Sequence, residues 1–97
     1  MARTESVKRQ RNQRVEYAVI LRGTTPCYDC GVQYPYFMME FDHVRGDKVA
    51  NVMLIASNGS WKTMLLEIAK CEIVCSNCHS ARTHYRRVEK NERTNLS

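Results

Sequence analysis

The sequence lacks long hydrophobic runs, internal repeats and low-complexity segments. Its longest apolar stretches, residues 17–21 and 52–56, are far shorter than the ~20 residues that a membrane-spanning helix needs. No apolar segment follows Met1, so we expect no signal peptide. The 97 residues are also too few for more than one ordinary domain. These absences disfavour a membrane protein, a secreted disulfide-rich protein and a multidomain enzyme.

Basic residues concentrate at the two ends of the chain. The formal net charge is +5, from 15 basic and 10 acidic residues. Residues 1–22 hold six basic and two acidic side chains, residues 23–79 hold four and six, and residues 80–97 hold five and two. Basic ends are typical of a nucleic-acid-binding protein, and simple solvation of two helical ends explains them equally well. We divide the chain into a basic N-terminal arm (1–22), a central domain (23–88) and a flexible tail (89–97).

Helical and extended segments alternate along the chain. We expect disorder in the first half-dozen residues and a helix over residues 6–21, with Val15, Ala18 and Val19 on one face beside the stem of Arg22. Residues 38–44 are apolar enough for a strand, and residues 49–56 are expected to include another short strand. Residues 72–75 predict a third strand, and a helix follows to about residue 88.

A helix over residues 61–69 is predicted from its cap and its periodicity. Ser60 is a favourable N-cap residue. Apolar residues then recur at i, i+3, i+4 and i+7; they are Trp61, Met64, Leu65 and Ile68. This spacing is typical of a helix that buries one face.

Two CxxC pairs point to a metal site. They are Cys27–Cys30 and Cys75–Cys78, with 44 residues between them. Two intervening residues let both sulfurs of a pair face one ion about 2.3 Å away, and two pairs complete a tetrahedron. Without a signal peptide the thiols lie in a reducing compartment, which favours structural Zn²⁺ over disulfides, with an iron–sulfur cluster and a redox-active CxxC as weaker alternatives. Cys71 is left over and is expected to be a small buried apolar residue.

Acidic and imidazole side chains predict a second, catalytic ion. Asp42 offers the oxygen ligand that Mg²⁺ or Mn²⁺ prefers, and His43 is the residue type suited to a general base near neutral pH. On the last predicted helix, His79 shares a stripe with Arg82 and Arg86. A metal held by Asp42 and His79 could neutralise a phosphodiester while His43 takes a proton from the attacking water. Because neighbouring residues on a regular strand face opposite ways, Asp42 and His43 share a site only if the strand ends or kinks there.

The sequence resembles the HNH endonuclease family, in particular its small four-cysteine members from phages and bacteria. The resemblance covers roughly residues 27–87 and rests on Cys27-x-x-Cys30-Gly31, Glu40-Phe41-Asp42-His43-Val44, Cys75-Ser76-Asn77-Cys78-His79 and Arg82-Thr83. It implies an α+β chain with a ββα-metal fold, in which a hairpin and a helix hold one catalytic divalent ion beside the structural zinc. It also implies that Asp42 and His79 bind that ion and that His43 is the general base. Many members carry an Asn about nine residues before the last His, where this chain has Lys70.

These expectations describe a divalent-metal-dependent DNA endonuclease that nicks one strand or cleaves both. Its structural metal would be Zn²⁺ and its catalytic metal Mg²⁺ or Mn²⁺. The residues expected to contact DNA are basic: Arg9, Arg11, Arg14, Lys70, Arg82 and Arg86. The alternatives are a non-catalytic zinc-ribbon DNA-binding module and an accessory protein of a phage packaging complex. Further expected partners are a second copy in a homodimer or phage packaging proteins, and the expected location is the cytoplasm of a bacterial or phage-infected host cell.

Overall fold

The computed structural model describes the backbone of residues 2–96 and the surroundings of side chains 5–92. Its elements, in chain order, are helix α1 (Ala2–Thr24), one turn of 3₁₀ helix (Tyr36–Met38), strand β1 (Met39–His43), helices α2 (Val52–Asn58) and α3 (Trp61–Ile68), strand β2 (Cys71–Cys75) and helix α4 (Ser76–Leu96). The predicted α+β class is therefore confirmed. Within the described residues, no helix combines the length and apolar character needed to span a membrane.

Strands β1 and β2 pair antiparallel in an unbroken register. The paired residues run in step from Met39 opposite Cys75 to His43 opposite Cys71. Because side chains alternate along a regular strand, Asp42 and His43 face opposite sides of this sheet. The sheet thus lacks the kink that would bring the two side chains to one side.

Two small clusters of buried side chains form the core. The first, here named the knuckle cluster, consists of Cys27, Met39, Val74 and Cys75. The second, the helical cluster, consists of Val52, Ala56 and Met64. Strand β1 contributes to both, because Met39 belongs to the knuckle cluster while Phe41 packs against the helical cluster. Both clusters therefore hold the strand that carries Asp42 and His43.

Helix α1 packs along its predicted face. Ala18 is fully buried, and Val15 and Val19 are half-buried. Arg14 was predicted to contact DNA and this was wrong, because the residue is buried and its Nε donates to the carbonyl oxygen of Ala56 at 2.9 Å. That carbonyl lies in the last turn of α2, where carbonyl groups have no partner within their own helix. Arg14 thus joins α1 to α2.

The strand predicted within residues 49–56 is wrong, because helix α2 begins at Val52. A short apolar run has no period that separates a strand from a buried helical segment. Val52 and Ala56, four residues apart, are both buried, and that spacing places them on one helical face. Packing of this face in the helical cluster favours the helix.

Both ends of the chain are more helical than predicted. The disorder predicted for the first half-dozen residues is wrong from Ala2 onward, where α1 begins. Helix α4 ends at Leu96 and so includes residues 89–96 of the segment predicted as a flexible tail (89–97), whose flexibility stays a prediction. Neither segment contains Gly or Pro, so the sequence offers no stop to helix propagation. Met1 and Ser97, to which the two predictions also apply, lie outside the described residues.

Helix α3 begins where its cap predicts. Ser60 and Thr63 form a reciprocal capping box, in which each side-chain oxygen accepts from the other residue's backbone N–H. Two of the four backbone donors that a helix start leaves unpaired are thereby satisfied. The predicted N-cap is confirmed.

The buried face of α3 is only partly the predicted one. Met64 is fully buried, whereas Trp61 and Leu65 are exposed. Trp61 instead contacts Tyr17 of α1 edge to face, with ring centroids 5.7 Å apart. The position turned inward is Glu67, a carboxylate with 2% exposure. A charged side chain on the inner face was not predicted, and its partners are described below.

Candidate functional site

The four predicted cysteine ligands converge. Their sulfur atoms all lie within 4.8 Å of one another, and in the described residues they are the one group of three or more Cys, His, Asp or Glu ligands that meets this limit. Four thiolates about 2.3 Å from a tetrahedral zinc would lie roughly 3.8 Å apart. The cluster, formed by Cys27, Cys30, Cys75 and Cys78, could therefore hold a structural metal such as zinc.

Local backbone geometry shapes the first cysteine pair. Gly31 follows it with φ of 74°, a left-handed conformation that an L side chain rarely adopts, and its N–H donates to the carbonyl oxygen of Cys27 at 2.8 Å. The N–H of Cys75 donates to the sulfur of Cys27 at 3.3 Å. This bond links the first pair to the end of β2, where the second pair begins.

The thiols of the cluster differ in acidity. Burial raises the pKa of Cys27, but backbone N–H groups of Cys30, Cys75 and Asp29 outweigh it and lower this pKa to about 6. The side-chain hydrogen bond with Cys75, aided by burial, raises the pKa of Cys78 to about 12. Four thiolates at neutral pH therefore require a shared cation, which is the condition that a structural metal ion satisfies.

Asp42 and His79 lie together as predicted. Oδ1 of Asp42 is 3.4 Å from Nε2 of His79, and Asp42 is only 4% exposed. On its other side, the His79 ring donates from Nδ1 to Oε1 of Glu40, whose second oxygen accepts from the hydroxyl of Ser76 at 3.1 Å. A neutral imidazole that donates from Nδ1 turns a lone pair toward Asp42. The lone pair on Nε2 and the carboxylate oxygen of Asp42 repel each other, and a cation between these two atoms would remove the repulsion.

Glu40 belongs to the predicted Glu40–Val44 motif, but no role at the site was predicted for it. It lies two positions before Asp42 on β1, so both side chains face α4. The alternation that separates Asp42 from His43 is the signal that could have identified it.

Asp42 is enclosed by the guanidinium groups of α4. Arg86 donates to both of its oxygens, at 3.0 and 2.8 Å, and Arg82 donates to Oδ2 at 2.8 Å. Burial raises the pKa of Asp42, but these hydrogen bonds, first from Arg86 and then from Arg82, keep it below the usual value. The predicted stripe of His79, Arg82 and Arg86 therefore exists and faces Asp42.

Arg82 is not free to contact phosphate, which corrects the prediction that it binds DNA. Its guanidinium also makes two hydrogen bonds to Asp29, at 2.7 and 2.6 Å, and an ion pair with Glu72 at 2.9 Å. Three carboxylates thus occupy this side chain, which is 16% exposed. Arg86 differs, because its side chain is 51% exposed and Asp42 is its carboxylate partner.

His43 lies on the other side of the sheet. Its Nε2 is 2.8 Å from Oε2 of Glu67, on α3. The regular register of β1 is the reason, since it turns neighbouring side chains to opposite faces. The structure therefore brings together Asp42 and His79 but not the third predicted member, His43.

Glu67 is the acceptor that holds His43. This buried carboxylate also accepts from Nζ of Lys70 at 2.9 Å and from the backbone N–H of Val49 at 3.0 Å. The hydrogen bond from Lys70 is the largest influence and, together with those from Val49 and His43, outweighs burial and lowers the pKa of Glu67 to about 2. Lys70 further donates to the backbone oxygen of Asp47 at 2.7 Å, so its predicted phosphate contact is not supported. The helical spacing of Glu67 from Met64 was a signal that it faces inward.

The remaining predicted DNA contacts, Arg9 and Arg11, are exposed on α1. Two pockets lie beside β1, and Glu40 borders both. One, of about 350 Å³, is lined by Glu40, Ser76, His79, Ser80, Thr83, His84 and Arg87. The other, of about 270 Å³, is lined by Arg22, Glu40, Phe41, His43, Asn51, Val52 and Met53. His79 and His43 thus face separate pockets with one shared wall.

Comparison with known proteins gives no match, so any inference about function rests on the geometry of the site. No family model, no curated protein and no solved structure matches this chain. The HNH resemblance therefore stays a prediction from the residues that carry it.

Proposed function

We propose that the chain is a divalent-metal-dependent DNA endonuclease of the HNH type, which hydrolyses phosphodiester bonds. One observation carries the proposal: Asp42 of β1 and His79 of α4 approach within 3.4 Å. Two ligands of one Mg²⁺ ion, each about 2.1 Å from it, lie roughly 3 Å apart. The pair therefore has the spacing of two ligands to a shared ion, on an antiparallel strand pair and a helix that the cysteine cluster joins.

In this proposal Asp42 and His79 hold the catalytic Mg²⁺ or Mn²⁺, and Glu40 orients the His79 ring through the hydrogen bond at Nδ1. The ion, when bound, would neutralise charge on the phosphate and on the leaving oxygen. Asp42 must first release a guanidinium, because both of its oxygens accept hydrogen bonds from Arg86. Arg86 is half-exposed and can turn into solvent, whereas Asp29 and Glu72 retain Arg82. Arg82 then continues to orient Asp42.

His43 is the proposed general base for the attacking water. Glu67 fixes its ring by a hydrogen bond at Nε2 and leaves Nδ1 as the nitrogen that can accept a proton. His43 borders the pocket of about 270 Å³, which shares Glu40 with the pocket beside His79. The proposal accordingly requires DNA to contact both pockets across Glu40.

A non-catalytic zinc-ribbon module that binds DNA is the second candidate. The observation that favours it is the pairing of His43 with Glu67, away from Asp42 and His79. Asp42, surrounded by Arg82 and Arg86, would then be a structural carboxylate that fixes α4 on the sheet. This candidate needs only the cysteine cluster and the basic helices.

Plasmid nicking in Mg²⁺ or Mn²⁺ tests the two candidates. The native chain should nick, and Asp42→Asn and His79→Ala should abolish nicking because each removes a ligand. His43→Ala should slow it by about 10²–10⁴-fold, the usual contribution of general acid–base catalysis. Asp47→Asn, a change at an exposed loop residue, is the matched control and should nick normally. Zinc content of every variant shows that the cysteine cluster is intact.

The results separate the hypotheses. A native chain that binds DNA but does not nick it, whichever divalent ion is added, supports the zinc-ribbon module and rejects the endonuclease. Equal nicking by His43→Ala and the native chain rejects the assigned general base.

A further inference from the structure

The pocket beside His79 continues along α4 as a polar stripe. Four of its lining residues recur at i, i+4, i+7 and i+11; they are Ser76, Ser80, Thr83 and Arg87. This spacing places them on one face of the helix. His84 is four residues from Ser80 and borders the same pocket. Because the Ser76 hydroxyl already donates to Glu40, the side chains available along this face are the hydroxyls of Ser80 and Thr83, the imidazole of His84 and the guanidinium of Arg87.

Arg87 differs from the two arginines that were predicted to contact DNA. Arg82 and Arg86 both donate to Asp42. Arg87 is exposed, and no described side chain forms an ion pair or hydrogen bond with its guanidinium. Ser80 and Thr83 likewise make no side-chain hydrogen bond within the part of the chain that the structure describes. Arg87, Ser80 and Thr83 are therefore available as donors to a ligand in this pocket.

We propose that Ser80, Thr83, His84 and Arg87 form a binding site for a phosphate of the DNA backbone. The inference rests on the proposed function for the identity of the polyanion. A guanidinium and hydroxyl groups are suitable donors to phosphate oxygens, and Arg can make two parallel hydrogen bonds to one group. The acidic wall formed by Glu40 repels an anion, so the phosphate lies at the Arg87 end of the pocket.

The position of Arg87 also identifies which phosphate it binds. His79 and Arg87 are eight residues apart, which corresponds to about 12 Å along the helix axis. A phosphate at Arg87 is therefore not the scissile one at His79 but a neighbouring one. The stripe would then hold the DNA backbone along α4.

Binding of a short fluorescent DNA duplex, measured by anisotropy over a range of salt concentrations, tests this site. The measurement uses the zinc-loaded chain without added Mg²⁺ or Mn²⁺, so it does not depend on cleavage. Arg87→Gln should weaken binding and reduce the slope of log affinity against log salt by about one, the effect of one lost phosphate contact. Thr83→Val should weaken binding with little change of slope. Lys62→Gln, at an exposed residue of α3, is the control and should change neither quantity.

Arg86→Gln is a sharper control for Arg87→Gln, because the guanidinium of Arg86 is already paired with Asp42 in the native chain. We expect a smaller change of slope for Arg86→Gln than for Arg87→Gln. Unchanged binding by Arg87→Gln, or a larger slope change for Arg86→Gln, would overturn the proposed phosphate site even if the native chain cuts DNA. If Arg87→Gln has the expected effect but the native chain does not nick DNA with any divalent ion, the phosphate site stands and the endonuclease fails. Zinc content and circular dichroism of each variant exclude loss of folding.

Discussion

The knuckle cluster and the helical cluster lie on the same short sheet but differ in what stabilises them. Two of the four buried residues in the knuckle cluster are thiols of the candidate metal site, Cys27 and Cys75. The helical cluster contains Val52, Ala56 and Met64, which offer no metal ligand. A cation bound by these thiols can therefore stabilise the first region, whereas the second is held by ordinary apolar packing. Chains this small often require such a cross-link, because a thin core contributes little net stability.

Removing one metal ligand should have the largest effect on this comparison. We expect Cys78→Ser to lose the structural metal and to unfold the chain largely, because structural zinc contributes about 10 kcal/mol or more to folding in small zinc domains. Zinc content and amide protection of β1 and β2 measure the effect. Cys71→Ser, which changes the cysteine outside the cluster, is the control and should keep both. A Cys78→Ser chain with native amide protection would contradict the dependence on metal.

The cysteine spacing was sufficient to predict that the thiols of the knuckle cluster converge with Cys30 and Cys78, because two CxxC pairs are a typical pattern of metal ligands. The helical cluster was harder to predict. The apolar run in residues 52–56 suits a strand or a helix equally, and the choice depends on packing against α1, which a short run does not encode. For the same reason Trp61 and Leu65 matched a helical period without being buried.

Truncation within the helical cluster should have a smaller effect and leave the metal bound. Met64→Ala removes a fully buried side chain, and such changes typically cost about 2–5 kcal/mol. Chemical denaturation followed by fluorescence of Trp61, the one tryptophan of the chain, measures the loss. Leu65→Ala, at a side chain 44% exposed, is the neighbouring control and should change stability by about 0.5 kcal/mol or less. Loss of zinc from Met64→Ala would show that the clusters are not separable.

The site residues were predicted unevenly for a related reason. Asp42 and His79 were identified by type and motif, and they meet across β1 and α4. The position of His43 was not predicted, since it follows from the unbroken pairing of β1. Its partner Glu67 was missed because a carboxylate on an apolar helical face has no motif of its own. The buried carboxylate of Glu67 is tolerated on that face because His43, Lys70 and the backbone N–H of Val49 donate hydrogen bonds to it.

The smallest expected effect is a difference in pH dependence at Glu67. Its pKa is lowered from 4.5 to about 2 in the folded chain, so it stabilises the fold above about pH 4.5 and this contribution is lost as the pH falls toward 2. Glu67→Gln should be less stable than the native chain at pH 7, and the difference in the free energy of unfolding should begin to narrow at pH 4. Chemical denaturation at the two pH values measures this difference, and the zinc content at each pH shows that the cysteine cluster is still loaded.

The matched control for Glu67 is Glu16→Gln, at an exposed position of α1. We expect its stability to follow that of the native chain at both pH values. A difference between Glu67→Gln and the native chain that stays constant from pH 7 to pH 4 would show that the charge of the Glu67 carboxylate does not stabilise the fold.

The distance in sequence between the two cysteine pairs has a consequence for the order in which the chain can fold. Cys27 and Cys75 are 48 positions apart, and Glu40, Asp42 and His43 all lie between them. A ribosome releases the carboxylates well before the second pair, so the loop stays open until most of the polypeptide has emerged. His79 arrives with that same late segment. A prematurely terminated product therefore lacks both the second cysteine pair, which closes the loop, and the imidazole of His79.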